Sequence, residues 1–181
     1  MTYDDIIGIV ADIKEKYDET DPARLCRDMD ILLCQEPMGR SKECCKGVFV
    51  HRLGVSCITI NSELSPTFRR IITAHELGHA VMHRRENIRY FHDYTYFDAI
   101  NRYEKEANYF AAELLLSDED VMSVMNEDTT FAEAASKLYV PFGFLDFKFR
   151  LMKWKGYQIA PPMTTKANFL NNVEVEFDNG G

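Results

Sequence analysis

Basic charge is scarce in this sequence. Only 21 Lys and Arg stand against 29 Asp and Glu, a formal charge of −8, and the pI is near 5.1. A nucleic-acid binder needs a basic footprint to neutralise phosphates, so no direct nucleic-acid contact is expected. Long apolar runs are missing as well: no stretch approaches the roughly 18 residues of a membrane span, so no membrane partner is expected. Asp4 and Asp5 stand where a secretory signal carries Lys or Arg, and no uninterrupted apolar segment follows them. Paired cysteine spacing is absent too. Cys26, Cys34, Cys44, Cys45 and Cys57 are odd in number, two of them are adjacent, and none form a Cys-x-x-Cys pair. A complete disulfide framework and the usual cysteine zinc site are both excluded, and reduced thiols in the cytoplasm are the expectation. There is no internal repeat and no low-complexity tract.

What is present fits one domain of 181 residues, 46% of them apolar. Ile6, Ile9, Val10, Ile13 and Tyr17 recur at helical spacing, and Asp21-Pro22 opens a short second helix to about Asp28. Segments 31–35, 47–51 and 55–61 read as strands, the last two forming a hairpin around Leu53-Gly54. Ser65-Pro66 starts a helix through Val81 and Met82. An aromatic stretch with Tyr90, Phe91, Tyr94, Tyr96 and Phe97 follows, and Asp98 caps a long helix to about Leu116. Thr130-x-x-Glu133 is a capping box for a helix to about Tyr139, and Pro141 precedes a last helix to about Gly156. The class is α+β: mostly helical, with a small three-stranded sheet. The expected domain is 1–156, its part from about 118 to 156 helical, followed by a loosely held tail over 157–181.

Chemistry concentrates in His75-Glu76-Leu77-Gly78-His79. Two histidines four residues apart lie about 40° from each other around a helix, so both imidazoles leave one face and can share a metal ion. Neutral imidazole suits zinc, and a glutamate beside the first histidine can take a proton from water whose pKa the metal has lowered to roughly 7. One Zn2+ per chain is expected, with Glu76 as the general base. Gly78 lowers helix stability by roughly 1 kcal/mol against alanine, which points to close packing or room for the metal.

A catalytic zinc takes a third protein ligand. The class that supplies it through His-x-x-Gly-x-x-His is excluded, because Met82 and Arg85 occupy the glycine and histidine positions. The alternative is a carboxylate on a following helix, where Glu104, Glu106 and Glu113 are available. Tyr103, Ala107, Phe110, Ala111 and Leu114 mark that helix's buried stripe, and Glu104 borders it. Glu106 lies about 200° away and groups with Lys105, Tyr109 and Glu113 on the wetter face. Glu104 is therefore the expected ligand. Asn108, one turn on, is placed to orient a ligand through a hydrogen bond. His83 continues the face of His75 and His79 and reads as a supporting, substrate-facing or surface residue. His51 and His92 read as ordinary strand and loop residues. The aromatic stretch is either a wall or lid of the substrate cleft or a satellite core.

The segment 69–79 resembles the core of the ImmA/IrrE family of metallopeptidases. Glu104-Lys105-Glu106-Ala107-Asn108-Tyr109-Phe110-Ala111 resembles that family's second signature, with Ser117 where members usually carry proline. The resemblance implies a zincin-like, gluzincin-type core and ligands at His75, His79 and Glu104. It also implies cleavage or inactivation of a helix-turn-helix repressor of a mobile element, phage or stress response. Tyr94, Tyr96, His92 and Tyr103 are candidate donors to the oxyanion, and strand 47–51 or 55–61 could pair with extended substrate. Two rival readings remain open. One is a non-catalytic, repressor-binding module of the same fold. The other is a helix-turn-helix over 130–153 with a basic end at Lys148, Arg150, Lys153 and Lys155.

Overall fold

The structure is a computed structural model in which residues 1–41, 43–84, 102–126 and 129–159 are described. Helix α1 (Tyr3–Tyr17) begins where Thr2 and Asp5 cap each other's backbone amides and buries Ile6, Val10 and Ile13. Helix α2 (Pro22–Asp28) starts with the Asp21 side chain accepting from the Arg24 amide at 2.9 Å, and it places Leu25 and Cys26 fully inside. Both starts follow from capping chemistry written in the sequence.

The sheet comprises β1 (Ile31–Glu36), β2 (Gly47–Arg52) and β3 (Val55–Asn61) in the order β1-β3-β2, with β1 parallel and β2 antiparallel to β3. Leu53 (φ 52°) and Gly54 (φ 82°) both sit in the left-handed region, the requirement of a two-residue hairpin turn that matches strand twist. Central β3 alternates, burying Ser56, Ile58 and Ile60 while Cys57 and Thr59 face partly outward. Its two edges are both taken. Segment 55–61 therefore cannot template an added strand, which leaves β2 as the edge beside the motif helix.

Helix α3 (Pro66–Met82) packs against α2, β2, β3 and α4 (Arg102–Leu115). Every residue from Ile71 to Ala80 is buried, so the motif lies on a helix enclosed on all sides. The expected wet face of α4 is corrected: Glu106, Tyr109 and Glu113 are 5%, 8% and 8% exposed. A helical wheel scores them as polar, but α1 and α7 (Phe142–Trp154) cover that side and supply partners, among them the Tyr3 hydroxyl 2.9 Å from that of Tyr109. Helix α5 (Asp118–Val124) falls within the stretch expected to be helical, although it was not singled out as an element. Ser117, standing where proline was expected, caps it by accepting from the Asp120 amide at 2.9 Å.

Helix α6 (Phe131–Lys137) starts at the anticipated Thr130/Glu133 capping box, and α7 buries Phe144, Leu145 and Phe149. The basic end proposed for a helix-turn-helix is only partly on the surface, with Arg150 and Lys153 exposed. Lys148 is 1% exposed and reaches Glu113 at 2.8 Å and Asp118 at 2.6 Å, and Lys155 binds the same two carboxylates at 2.6 and 2.9 Å. Arg150 pairs with Asp146 at 2.7 Å. Three of the four cations needed to meet phosphate are thus paired with carboxylates of the protein, two of them, Lys148 and Lys155, in one network. Among the described residues no helix is long and apolar enough to cross a membrane, and all five cysteines are free thiols. Asp98, His92 and the aromatic residues from Tyr90 to Phe97 lie outside the described residues, as does the tail beyond 159.

Candidate metal centre

The four-residue spacing on α3 sets His75 Nε2 and His79 Nε2 3.1 Å apart. From α4, Glu104 places Oε2 3.2 Å from His75 Nε2 and Oε1 3.3 Å from His79 Nε2. All three side chains are buried, the histidines completely. These separations approach the ~3.3 Å edge of a tetrahedron whose bonds to zinc are about 2.0–2.1 Å. The arrangement can form because the two helices touch. A Cβ on Gly78 would lie 3.0 Å from the Phe110 ring and 3.3 Å from the backbone of Ala107.

The donor chemistry asks for a cation. Asn108 Oδ1 sits 2.9 Å from His75 Nδ1 and accepts its proton, so the Nε2 of that ring turns a lone pair inward. Glu104 adds only acceptor oxygens. One proton on His79 could serve one of these neighbours, whereas a divalent ion serves all three at once. Burial holds His79 neutral down to about 4, against hydrogen bonding from Glu104 that favours its charged form. Burial also opposes ionisation of Glu104, but hydrogen bonds and charge from His75 and His79 outweigh it and hold the carboxyl well below the usual carboxylate range. Neutral imidazoles with an ionised carboxylate are the states that metal binding requires.

Glu76 is 1% exposed, one residue from His75, and its charge is felt at His79. The chain leading into β2 passes directly over it. A Cβ on Gly47 would fall 3.2 Å from Glu76 Cγ and 2.5 Å from an Ile72 methyl, and the Cys45 thiol is pushed up first by burial and then by the Glu76 charge. Sequence reasoning missed Gly47. A glycine opening a strand just before an apolar run was the available signal. At the far end of β2, Arg84 Nε donates to His51 Nε2 at 3.5 Å, and His51 otherwise bonds Ser56 within the hairpin.

The remaining expected residues also converge here. His83, the residue that ends α3, puts Nδ1 3.0 Å from His79 Nδ1 and Nε2 2.9 Å from Glu106 Oε2. Tyr103 packs its ring edge-on to His83, with centroids 4.8 Å apart. Of the other candidate donors, Tyr94, Tyr96 and His92 lie outside the described residues.

Comparison with known proteins agrees with this geometry. Residues 26–150 match the family Peptidase_M78, the IrrE N-terminal-like domain. The chain is also 42% identical over 84 residues to a protein named "Uncharacterized immunity region protein 2" from Bacillus phage phi105. That similarity covers 46% of this chain and 52% of the relative, so the chain spans about half the length of the protein it matches.

Proposed function

The chain belongs to the IrrE N-terminal-like peptidase family, and from that premise we propose that it is a zinc-dependent endopeptidase acting on a helix-turn-helix transcriptional repressor. The observation that carries the reading is the convergence of His75, His79 and Glu104 on one buried point with Glu76 beside it. A pure binding module has no use for a glutamate at that place. The relative's name, which sets it in a phage immunity region, supports a substrate among proteins that govern such a region.

His75, His79 and Glu104 would hold the ion, which when bound supplies Lewis acidity toward water and the scissile carbonyl. Asn108 fixes the His75 ring through the Nδ1–H bond. Glu76 takes a proton from water at its carboxylate and returns it to the leaving nitrogen. The enclosing walls of α3 and α4 exclude bulk water, so each of these charges acts at full strength. An extended substrate pairs with the edge of β2 that no described strand occupies, which starts beside Glu76 and ends beside Arg84.

The test pairs metal analysis with cleavage of the repressor encoded beside this gene. Wild type carries one zinc per chain and cleaves, and a chelator stops cleavage. Glu104→Ala loses the zinc. Glu76→Gln keeps the zinc and still binds repressor, but cleaves it about 10²–10⁴-fold more slowly. An unchanged biological effect in Glu76→Gln would sink catalysis as the mechanism and leave the binding module.

A further inference from the structure

Behind the two histidines the protein is asymmetric. His75 leans on a neutral amide, Asn108. His79 leans on a second imidazole, His83, which in turn meets a carboxylate, Glu106. His83 is 2% exposed and Glu106 5%, so the line is inside the protein throughout. From this we infer that His83 and Glu106 are positioning residues: a buried relay, Glu106–His83–His79, that sets the tautomer of His79 and aims its Nε2 lone pair at the metal point. The inference rests on the metallopeptidase reading for its purpose, though not for its geometry.

The direction of each bond follows from the ends of the chain. An ionised carboxylate has no proton to give, so at 2.9 Å His83 Nε2 must donate to Glu106. A neutral His83 with its proton on Nε2 has a bare Nδ1. At 3.0 Å that Nδ1 accepts, so the shared proton belongs to His79 Nδ1. His79 then carries no proton on Nε2, the atom 3.1 Å from His75 Nε2 and 3.3 Å from Glu104. An Arg102 Nε–H donates to Glu106 Oε1 at 2.8 Å, which steadies the carboxylate and leaves Oε2 to the relay. The Met1 ammonium group contacts the same Oε1.

The relay also makes the two histidines unequal as ligands. A carboxylate at the end of the line draws the His79 Nδ1 proton outward and makes Nε2 more basic, which the Asn108 oxygen cannot do to the same degree for His75.

Two measurements on the full chain test this. Long-range ¹H–¹⁵N correlation of the metal-free protein near pH 7 should show His79 as the Nδ1–H tautomer and His83 as Nε2–H. In Glu106→Ala, His83 should become a tautomer mixture. An Nδ1–H form of His83 in the wild type overturns the relay whatever the metal does. Zinc affinity, read by competition with a chelator, should fall about 10–100-fold in Glu106→Ala and in His83→Leu. Glu106→Gln, whose amide oxygen still accepts, should regain most of it. Unchanged affinity in Glu106→Ala and His83→Leu rejects the relay while leaving the peptidase intact. Wild type that binds no zinc rejects the peptidase, and the tautomers then decide the relay alone.

Discussion

Near its N-terminus α4 buries Glu104 among imidazoles, and near its C-terminus it buries Glu113 among ammonium groups. At the second end, two carboxylates (Glu113, Asp118) face two lysines (Lys148, Lys155), and the Lys14 ammonium adds a hydrogen bond to the Glu113 carbonyl at 2.9 Å. That network is closed, with its cations supplied by the chain itself. At the first end the Glu104 carboxylate lies within 3.3 Å of two histidine rings, of which His79 is held neutral by burial. The same helix thus carries a brace tying it to α5 and α7 at one end and a candidate metal site at the other. Buried acid alone distinguishes neither; the protonation state of its partners does.

The comparison can be broken most sharply at the lysine end. Lys148→Met removes one partner from the closed network and should lower unfolding free energy by about 3–5 kcal/mol in urea titration. Adding Glu113→Gln to it should recover much of that loss, since a neutral amide replaces the carboxylate. Neither change should alter zinc stoichiometry. A Lys148→Met protein as stable as wild type would show that the network is decorative.

Acid should separate the two ends by where it acts. The folded pKa of His79, near 4, lies below its ordinary 6.5. The folded metal-free chain therefore binds fewer protons than the unfolded one between these values. The stability involved is fully present above about pH 6.5 and is lost as pH falls toward 4, on the order of 3 kcal/mol. At the other end, burial opposes ionisation of Asp118 but Lys148 and Lys155 outweigh it and hold its pKa below 3.8. Its contribution survives to lower pH and fades only as pH drops below 3.8. Unfolding of metal-free protein at pH 7, 5 and 4 should show the early loss, and zinc should remove most of it. A flat profile from pH 7 to 4 would contradict the neutral-ring reading of the metal end.

The smallest effect is expected at the joint between α3 and α4. Gly78→Ala gains helix propensity of roughly 1 kcal/mol but drives a methyl against Phe110 and the Ala107 backbone. A net destabilisation of about 1–2 kcal/mol is expected in thermal unfolding. Weaker zinc binding should accompany it, because the Glu104 helix is displaced. A more stable Gly78→Ala protein would mean that the helices have slack there.

Local signals carried well from sequence to structure. The caps at Asp21, Ser65 and Thr130, the three strands and the crowding at Gly78 were each legible because neighbouring residues decide them. Glu104 was legible because it borders the apolar stripe of α4. The covering of Glu106 and Glu113 was not, since it depends on α1 and α7, which lie far from α4 along the chain on either side. For the same reason Lys148 read as a surface cation. Its partners lie on α4 and at the start of α5, and no periodicity within α7 announces them. Ser117 was noticed only as a departure, although its hydroxyl and the acidic turn behind it form a helix start of their own.

The bare glycine that opens β2 has a geometric corollary. Gly47 lies over Glu76 and His51 lies at Arg84, so four steps of strand, about 13 Å, run beside the six helical steps from Glu76 to Met82, about 9 Å, and the turn that follows them. The strand runs alongside the motif helix and its closing turn across the candidate metal point. A guest chain hydrogen-bonded along that edge would be held like work against a ruler with two-residue graduations, because a one-residue slip turns every side chain to the opposite face. Digestion should then yield one sharp cut, with any minor products offset from it by two residues rather than by one.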